Sequence, residues 1–434
     1  MPVVVVGAGP VGLAAAAELV ERGLTPLVLE RAEVAGAAVA RWHHVRLFSQ
    51  WSELVAPAAG RLLAPTGWRR PDAEAFPTGE QWADHYLRPL AEALGERVQF
   101  GAEVVGVTRR GRDRVVDAGR DSEPLTVHVR HRDGREERLT AQAVIDASGT
   151  WGTPNPLGGD GLPALGEHAA ADRVTYRIPD LADPDMRSRY AGRHVAVVGS
   201  GHSALTALVA LTEFAGEGTR ISWVSRRSTV GSAFGGGTAD QLPARGALGQ
   251  LAKAMVAARH VTTVTGFRTE AVERQEDGRL DLVSVGGNRL SGLDEVVALT
   301  GFRPDLSWLS ELRLALDATL QAPVTLAPLI DPNVHSCGTV YPHGVKELTH
   351  PEPGVYLAGM KSYGRAPTFL AMTGYEQVRS IAAALAGDRE AAERVELVLP
   401  ETGVCGGAGV FDEPAQDQAG GCCGPVSISG ARHA

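Results

Sequence analysis

Three glycines near the N-terminus have the spacing that a bound phosphate group requires. Gly7, Gly9 and Gly12 form a G-x-G-x-x-G pattern. The first glycine permits a tight turn, the second lets a pyrophosphate approach the backbone, and the third allows a helix to pack on a strand. Glu30 follows, and a carboxylate there accepts hydrogen bonds from both ribose hydroxyls and repels a 2′-phosphate. The pattern predicts a site for a dinucleotide that lacks a 2′-phosphate.

A second glycine pattern occurs in the middle of the chain and ends differently. Gly199, Gly201 and Ala204 occupy the three glycine positions, and Arg226 and Arg227 stand where the first pattern has its acid. Guanidinium groups bind a 2′-phosphate bidentately. The two patterns therefore predict FAD at the first site and NADPH at the second, although the arginines could also be ordinary surface charges.

The hydrophobic pattern predicts the elements that must position these residues. Apolar runs at Val3–Val6 and Thr25–Leu29 are typical of buried parallel strands, and Leu13–Leu19 between them is typical of a small-residue helix. Strands are also predicted at His194–Val198 and Arg220–Val224, on either side of an apolar helix. The predicted fold class is α/β, with two Rossmann-like dinucleotide-binding domains.

The chain resembles the two-dinucleotide-binding-domain flavoproteins beyond the glycines. Leu139–Pro156 and Leu293–Leu306 are similar to that family's two crossings between domains, and Pro353–Leu385 resembles its last strand, flavin-contacting loop and helix. The resemblance implies an NADPH domain inserted into a split FAD domain. The expected boundaries are 1–156 for the first part of the FAD domain, 157–304 for the NADPH domain, 305–395 for the second FAD part, and 396–434 for a flexible tail.

The same resemblance implies further cofactor contacts. They are expected at Pro10, Arg31, Val104, Ser148 and Gly149 around the FAD, at Ser200, His202 and Ser203 around the NADPH, and at Thr300, Gly301, Gly359 and Met360 near the crossings and the flavin.

Two segments resemble the monooxygenase branch of the family. Met360 follows Gly359 where disulfide reductases of the family carry aspartate, and residues 76–87 resemble a segment of flavin-containing monooxygenases. The fingerprint F-x-G-x-x-x-H of N-hydroxylating and Baeyer-Villiger enzymes is degraded, because Gly166 and His168 stand too close together. The motifs alone therefore favour the monooxygenase branch of the family without establishing it.

Residues 41–54 are the predicted substrate side of the flavin. This stretch holds two tryptophans, two histidines, a phenylalanine and Gln50. An amide near C4a of a flavin stabilises an oxygen adduct by hydrogen bonding, so Gln50 is the predicted catalytic residue. The alternative is that these aromatic residues belong to the core.

The four cysteines lie at Cys337, Cys405, Cys422 and Cys423. No C-x-x-C pair stands beside the predicted flavin, which excludes the usual internal-dithiol mechanism. The region from Ala327 onward resembles bacterial flavoproteins encoded beside arsenic-resistance genes, and thiolates prefer soft thiophilic ions. The three tail cysteines are therefore predicted to hold a metalloid, the alternative being a tail without function.

These observations predict an FAD- and NADPH-dependent oxidoreductase, and the leading hypothesis is a monooxygenase. It would transfer oxygen from C4a-hydroperoxyflavin to a soft nucleophile such as sulfur, nitrogen or a trivalent arsenical. One alternative is an NADPH-dependent reductase whose tail cysteines accept the electrons, and another is a non-catalytic, metalloid-sequestering or redox-sensing flavoprotein. Replacing Cys422 and Cys423 by serine discriminates between the three.

Charge and composition exclude several other classes. The formal net charge of −9 and the absence of long basic runs argue against nucleic acid as a partner. No apolar run reaches membrane-spanning length, and the apolar N-terminus lacks the basic lead of a signal peptide. Few cysteines, bunched at one end, fit a reducing compartment, so a cytoplasmic protein with a small-molecule substrate and molecular oxygen as partners is expected.

Overall fold

A computed structural model describes residues 1–237, 240, 242–334, 342–367 and 369–397. Its strands are β1 Val3–Val6, β2 Pro26–Leu29, β3 Val98–Gln99, β4 Ala102–Arg109, β5 Leu125–His131, β6 Glu136–Ala141, β7 Ala143–Asp146, β8 Val174–Thr175, β9 His194–Val198, β10 Arg220–Val224, β11 Val261–Val264, β12 Thr269–Arg274, β13 Leu280–Ser284, β14 Arg289–Leu293, β15 Glu295–Ala298 and β16 Val355–Leu357. Its α-helices are α1 Pro10–Glu21, α2 Ala37–Ala40, α3 Trp51–Leu54, α4 Pro57–Leu63, α5 Gly79–Trp82, α6 Arg88–Leu94, α7 Pro184–Tyr190, α8 His202–Leu211, α9 Pro243–Ala257, α10 Ala327–Ile330, α11 Val345–Leu348, α12 Ala371–Leu385 and α13 Arg389–Glu393.

The first parallel sheet is built from both ends of the chain. Within the described residues its strand order is β16-β7-β1-β2-β3, and β1 pairs with β2 and β7 in parallel register. The four valines of β1 are buried, because both faces of the sheet are covered. Val3 and Val5 pack against helices, and Val4 and Val6 pack against β4 and β5, so no side of the strand is left polar. The late strand β16 pairs with β7, so a segment beyond residue 350 completes the sheet that begins at residue 3.

The second parallel sheet lies between the two parts of the first. Over the part of the chain that is described, its strand order is β11-β10-β9-β15-β8. β9 pairs with β10 on one side and with β15 on the other, all in parallel. This order, with β9 at the centre and a glycine loop at its carboxyl end, is the Rossmann arrangement predicted from the sequence.

Two antiparallel three-stranded sheets accompany the parallel ones. They have the orders β4-β5-β6 and β12-β13-β14 among the described residues. Each leads directly into an inner strand of a parallel sheet: β6 is followed by β7, and β14 is followed by β15. Their buried faces pack against the parallel sheets, which gives one hydrophobic cluster around β4, β5 and β7 and another around β9, β13 and β15.

Helix α1 is shaped to lie close to the first sheet. Pro10 occupies its first turn, where the missing amide hydrogen is no loss. The run Ala14–Ala17 is buried, and side chains this small let the helix approach both the sheet and α12. Helix α5 continues through a π-helical turn, Ala83–Leu87, into α6.

Candidate functional site

The loop after β1 leaves space for a ligand at one glycine and none at the other two. Gly7 has φ +100°, and a Cβ there would lie 3.0 Å from the carbonyl oxygen of Ala147. A Cβ on Gly12 would lie 1.9 Å from the carbonyl oxygen of Gly7. Gly9, by contrast, has no neighbouring atom within 4 Å of its would-be Cβ. The open position is the one where the sequence predicts the pyrophosphate.

Backbone amides point into this space from the start of α1. The first bond of the helix runs from the amide of Leu13 to the carbonyl of Gly9, at 3.0 Å. The preceding amides of Val11 and Gly12 therefore have no partner within the helix, and such amides bind anionic groups. The arrangement fits a dinucleotide pyrophosphate.

Glu30 is held at the rim of the same loop. Its carboxylate accepts hydrogen bonds from the amides of Ala8 at 2.8 Å and Ala32 at 2.9 Å. These two bonds fix the carboxylate beside the glycine loop, at the end of β2, where an adenosine ribose would lie. The guanidinium group of Arg31 lies beside Gly152, 3.2 Å from where a Cβ on that glycine would stand.

A buried ion pair underlies this loop. Lys361 is 1% exposed, and its Nζ lies 2.9 Å from Oδ2 of Asp146, which is fully buried. The Lys361 ammonium also donates to Oγ of Ser148 at 2.9 Å and lies 4.9 Å from the centre of the Trp308 ring. Because Ser148 contacts the Gly7 turn, the pair braces the loop from below. No motif in the sequence indicates this pair; the one available signal is that lysine is rare, since Lys361 is one of just three lysines in the chain.

The predicted flavin-contacting loop is held by a glutamine from α12. Gly359 has φ +68°, and its amide donates to Oε1 of Gln377 at 2.8 Å. The side-chain nitrogen Nε2 of Gln377 lies 2.9 Å from Oγ of Ser362 and 2.8 Å from Nε2 of His343. The Ser362 hydroxyl in turn donates to the carbonyl of Gly359 at 2.7 Å. Met360 follows in the same short 3₁₀ turn. This network fixes the loop, and no sequence motif indicates it.

We call the loop after β1, with Gly7, Gly9 and Gly12, the first cradle. The loop after β9, with Gly199, Gly201 and Ala204, repeats its design and is the second cradle. Gly199 has φ +133°, and a Cβ there would lie 2.3 Å from the carbonyl oxygen of Leu299. Gly201 has no atom within 4 Å of its would-be Cβ, while Ala204, in the third position, is fully buried against the sheet. The first bonds of α8 run to the carbonyl of Gly201, which leaves the amides of His202 and Ser203 at the helix start for a phosphate.

Arg226 and Arg227 follow the end of β10. Arg226 is exposed, and Arg227 donates from Nη1 to Oγ of Ser232 at 2.9 Å. The amide of Arg227 also donates to Oγ of the buried Ser225, at 3.2 Å. Both guanidinium groups thus stand at the strand end that carries the ribose in this fold, where a 2′-phosphate would lie.

The two predicted crossings between the halves lie side by side. Asn155 donates its side-chain amide to the carbonyl of Thr300 at 3.0 Å, and its backbone amide donates to Gly301 at 2.9 Å. The rings of Trp151 and Phe302 lie 4.9 Å apart at the same place. These contacts join the incoming and outgoing segments into one two-segment connection.

Gln50 occupies the first position before the short helix α3. Its side-chain nitrogen lies 3.4 Å from a carboxylate oxygen of Glu74, and its backbone amide donates to Glu53 at 3.2 Å. Nearby, the ring of Phe48 meets that of His202, with 5.6 Å between the ring centres. Trp51 and Leu54 of the same segment pack into the core that contains Ala8 and Val11 of the first glycine loop. The segment therefore bridges the two nucleotide cradles, and the catalytic role of Gln50 remains a prediction.

Two further predicted FAD contacts lie on or beside the first half of the chain. Val104 is buried on β4, and Gly149 has φ +70° in the turn after β7.

The degraded fingerprint around Gly166 and His168 forms a turn about the buried Glu167. The Glu167 carboxylate accepts hydrogen bonds from the amide of Ala164 at 2.7 Å and from the Tyr176 hydroxyl. Burial and this carboxylate raise the pKa of Tyr176. The predicted metalloid ligands Cys405, Cys422 and Cys423, like Cys337, lie outside the described residues.

A family model described as pyridine nucleotide-disulphide oxidoreductase matches residues 4–334. The match spans most of the chain, so this protein belongs to that family. A ferredoxin–NADP reductase from Ignicoccus hospitalis is 26% identical over 319 residues, which cover 71% of this chain and 79% of that protein.

Solved structures share the fold at lower identity. Bacillithiol disulfide reductase from Bacillus cereus is 20% identical with a TM-score of 0.65, and covers 89% of this chain and 98% of its own. A flavin-containing monooxygenase from Stenotrophomonas maltophilia is 22% identical with a TM-score of 0.55, at the same coverage. The predictions of the α/β fold class and of an FAD- and NADPH-dependent oxidoreductase are confirmed. In the part of the chain that is described, no helix is long and apolar enough to cross a membrane.

Proposed function

We propose that this protein is an NADPH-dependent flavin monooxygenase that oxidises a soft nucleophile. FAD lies along the first cradle, with its pyrophosphate over Gly9 and its ribose on Glu30. NADPH lies along the second, with its pyrophosphate over Gly201 and its 2′-phosphate on Arg226 and Arg227. The proposed domains are 1–156 with 305–395 for FAD and 157–304 for NADPH, with residues 396–434 as a tail.

The observation that carries the proposal is the distribution of cysteine. Residues 1–336 contain none, although both nucleotide cradles and the segment that bridges them lie there. A disulfide reductase of the usual kind needs two thiols beside the flavin. The electrons of the reduced flavin therefore have no dithiol acceptor within residues 1–336. Molecular oxygen is the proposed acceptor, and a dithiol of the tail cysteines is the alternative that thiol alkylation tests.

The reaction balances with these reactants. NADPH, a proton, oxygen and the substrate give NADP⁺, water and the substrate with one added oxygen atom. The flavin supplies the hydride and oxygen chemistry when it is bound, while the chain holds both nucleotides and orients them. The proposed substrates are a thioether, an amine or a trivalent arsenical, each of which offers a lone pair to an electrophilic oxygen. The tail cysteines would collect the arsenical, because thiolates bind soft ions.

Measuring where the oxygen goes tests the proposal. The purified, FAD-loaded protein, with its thiols alkylated by N-ethylmaleimide, is supplied with NADPH and ¹⁸O₂ in the presence of a thioether, an alkylamine or arsenite. One ¹⁸O atom per NADPH oxidised in one product is the expected result for the sulfur and nitrogen substrates. Stoichiometric hydrogen peroxide with every substrate would contradict oxygen transfer. Comparison of arsenite oxidation before and after alkylation tests the role of the tail.

A reductase for an external acceptor is the second candidate. The similarity to a ferredoxin–NADP reductase over 71% of the chain favours it. In that case NADPH oxidation would be slow in oxygen alone and would increase strongly with ferricyanide or a reducible protein. Anaerobic NADPH oxidation with such acceptors distinguishes the two candidates.

A further inference from the structure

Two histidines and an aspartate meet between the halves of the molecule. Nε2 of His43 lies 3.3 Å from Oδ2 of Asp180. The ring of His44 lies 5.3 Å from that of His43, and the ligand atoms of all three residues lie within 4.8 Å of one another. Imidazole nitrogens and a carboxylate oxygen are a common ligand set for Zn²⁺ and related divalent ions.

The distances suit a metal ion. Zinc lies about 2.0–2.2 Å from nitrogen and oxygen ligands in tetrahedral sites, which places two ligands roughly 3.3 Å from each other. The His43–Asp180 separation already has this value. The nearest ligand atom of His44 lies within 4.8 Å of those of the other two residues, so this third ligand has to move closer when an ion binds.

His44 is the residue that a plain ion pair does not explain. Both of its ring nitrogens are buried, and neither makes a well-formed hydrogen bond with a described residue. The carbonyl groups of Ile178 and Pro179 lie within hydrogen-bonding reach of the ring, which places it against the segment that carries Asp180. Carbonyl oxygens can accept only from the N–H of a neutral imidazole, so the lone pair of its other nitrogen still lacks a partner. Buried polar atoms normally have partners, and those that lack one call for an explanation. A bound cation provides the partner.

Each side of the cluster is anchored in a different half. Trp42, next to His43, packs against the core of the first half. Ile178 and Leu181, on either side of Asp180, pack against the core around β9 and α8. Oδ1 of Asp180 is fixed by the amide of Ala182 at 3.1 Å, which leaves Oδ2 toward His43.

We propose that His43, His44 and Asp180 form a binding site for a divalent transition-metal ion, with Zn²⁺ as the expected ion, that ties the FAD half to the NADPH half. Phe48 and His202 make a second contact between the same two parts only a few residues away. A bound ion therefore fixes the segment that bridges the two nucleotide cradles. This inference does not depend on which molecule accepts the electrons of the flavin.

Zinc titration of the full-length, FAD-loaded protein tests the site. The thiols must first be alkylated with N-ethylmaleimide, because the tail cysteines would otherwise bind Zn²⁺ themselves. Isothermal titration calorimetry with Zn²⁺ alone is expected to give one ion per chain. His43→Ala and Asp180→Asn should each weaken binding by at least about tenfold, since each removes one of three ligands.

A matched control comes from the hairpin of β5 and β6. His128 and Glu136 lie 3.4 Å apart there as an ordinary histidine–carboxylate pair, so His128→Ala should leave zinc binding unchanged. Zinc should also raise the unfolding temperature of the unsubstituted protein and of His128→Ala, but not of His43→Ala. No binding to the unsubstituted protein, or equal binding in His43→Ala and Asp180→Asn, would overturn the proposal. Full FAD content and an unchanged unfolding temperature without zinc establish that the variants are folded. If Asp180→Asn does not fold, the result for His43→Ala decides alone, because the His43 side chain is 44% exposed.

Discussion

Replacing Gly9 by alanine separates the binding of FAD from the folding of the protein. Gly9 has φ −82° and ψ −175°, a conformation that alanine adopts without strain, and its would-be Cβ meets nothing within 4 Å. The FAD-free protein should therefore stay within about 1 kcal/mol of the unsubstituted one, because alanine restricts the unfolded chain but is a poorer N-cap for α1 than glycine. The added methyl group occupies the space of the pyrophosphate.

The expected loss of FAD affinity is large. A phosphate displaced from the start of α1 loses hydrogen bonds from amides, and each bond to a charged group is worth about 1.5–3 kcal/mol. Two such bonds correspond to roughly 10²-fold or more in the dissociation constant. Gly12→Ala should behave differently, because its Cβ would lie 1.9 Å from the Gly7 carbonyl oxygen. That overlap should destabilise the FAD-free protein by about 1–3 kcal/mol as well.

The assay is the FAD content of the purified variants together with the unfolding temperature of their FAD-free forms. Gly201→Ala is the matched control, since Gly201 has a similar backbone conformation and equally open surroundings. It should retain FAD and lose affinity for NADPH. A Gly9→Ala protein that binds FAD as tightly as the unsubstituted protein would refute the placement of the pyrophosphate at this loop.

Three further substitutions test charges at the sites and in the core. Arg226→Ala with Arg227→Ala should raise the KM for NADPH about 10–100-fold and leave that for NADH unchanged in steady-state assays; equal losses for both would contradict a 2′-phosphate site. Lys361→Met should lower the free energy of urea unfolding by about 3–5 kcal/mol, because it leaves Asp146 buried without its cation, and Asp146→Asn in the same chain should recover most of that loss. Burial raises the pKa of Glu18 from 4.5 to about 7, so the folded protein holds a proton that the unfolded chain releases, and this stabilisation is present below pH 4.5 and lost as the pH rises to 7. Glu18→Gln should remove that dependence and be more stable at pH 8 by about 3 kcal/mol in pH-dependent unfolding measurements; an unchanged pH profile would argue against the raised pKa.

The local elements of both cradles could be predicted from the sequence. Predicted and observed strands coincide at Val3–Val6 and at His194–Val198, since an apolar β-branched run followed by a glycine loop has few other solutions. Helix α1 begins three residues before the predicted Leu13, because Gly9 caps the helix and proline suits its first turn. Strand β2 begins at Pro26, one residue later than predicted.

Contacts between distant segments could not be predicted in the same way. Lys361 and Ser148 lie 213 residues apart in the chain, and no local pattern relates them. The cluster of His43 and Asp180 likewise depends on how the two halves meet. Hydrophobic periodicity predicts which face of an element is buried, but it carries no information about which polar side chains meet between distant segments.

Anaerobic reduction and subsequent reoxidation of the bound flavin, followed by absorbance in a stopped-flow instrument, tests the central claim most directly. The FAD-loaded, full-length protein is compared before and after alkylation of all its thiols. We predict that NADPH reduces the flavin at the same rate in both forms, and that oxygen restores the oxidised flavin at the same rate in both. A flavin that NADPH fails to reduce, or a reoxidation that disappears when the thiols are blocked, would contradict the account.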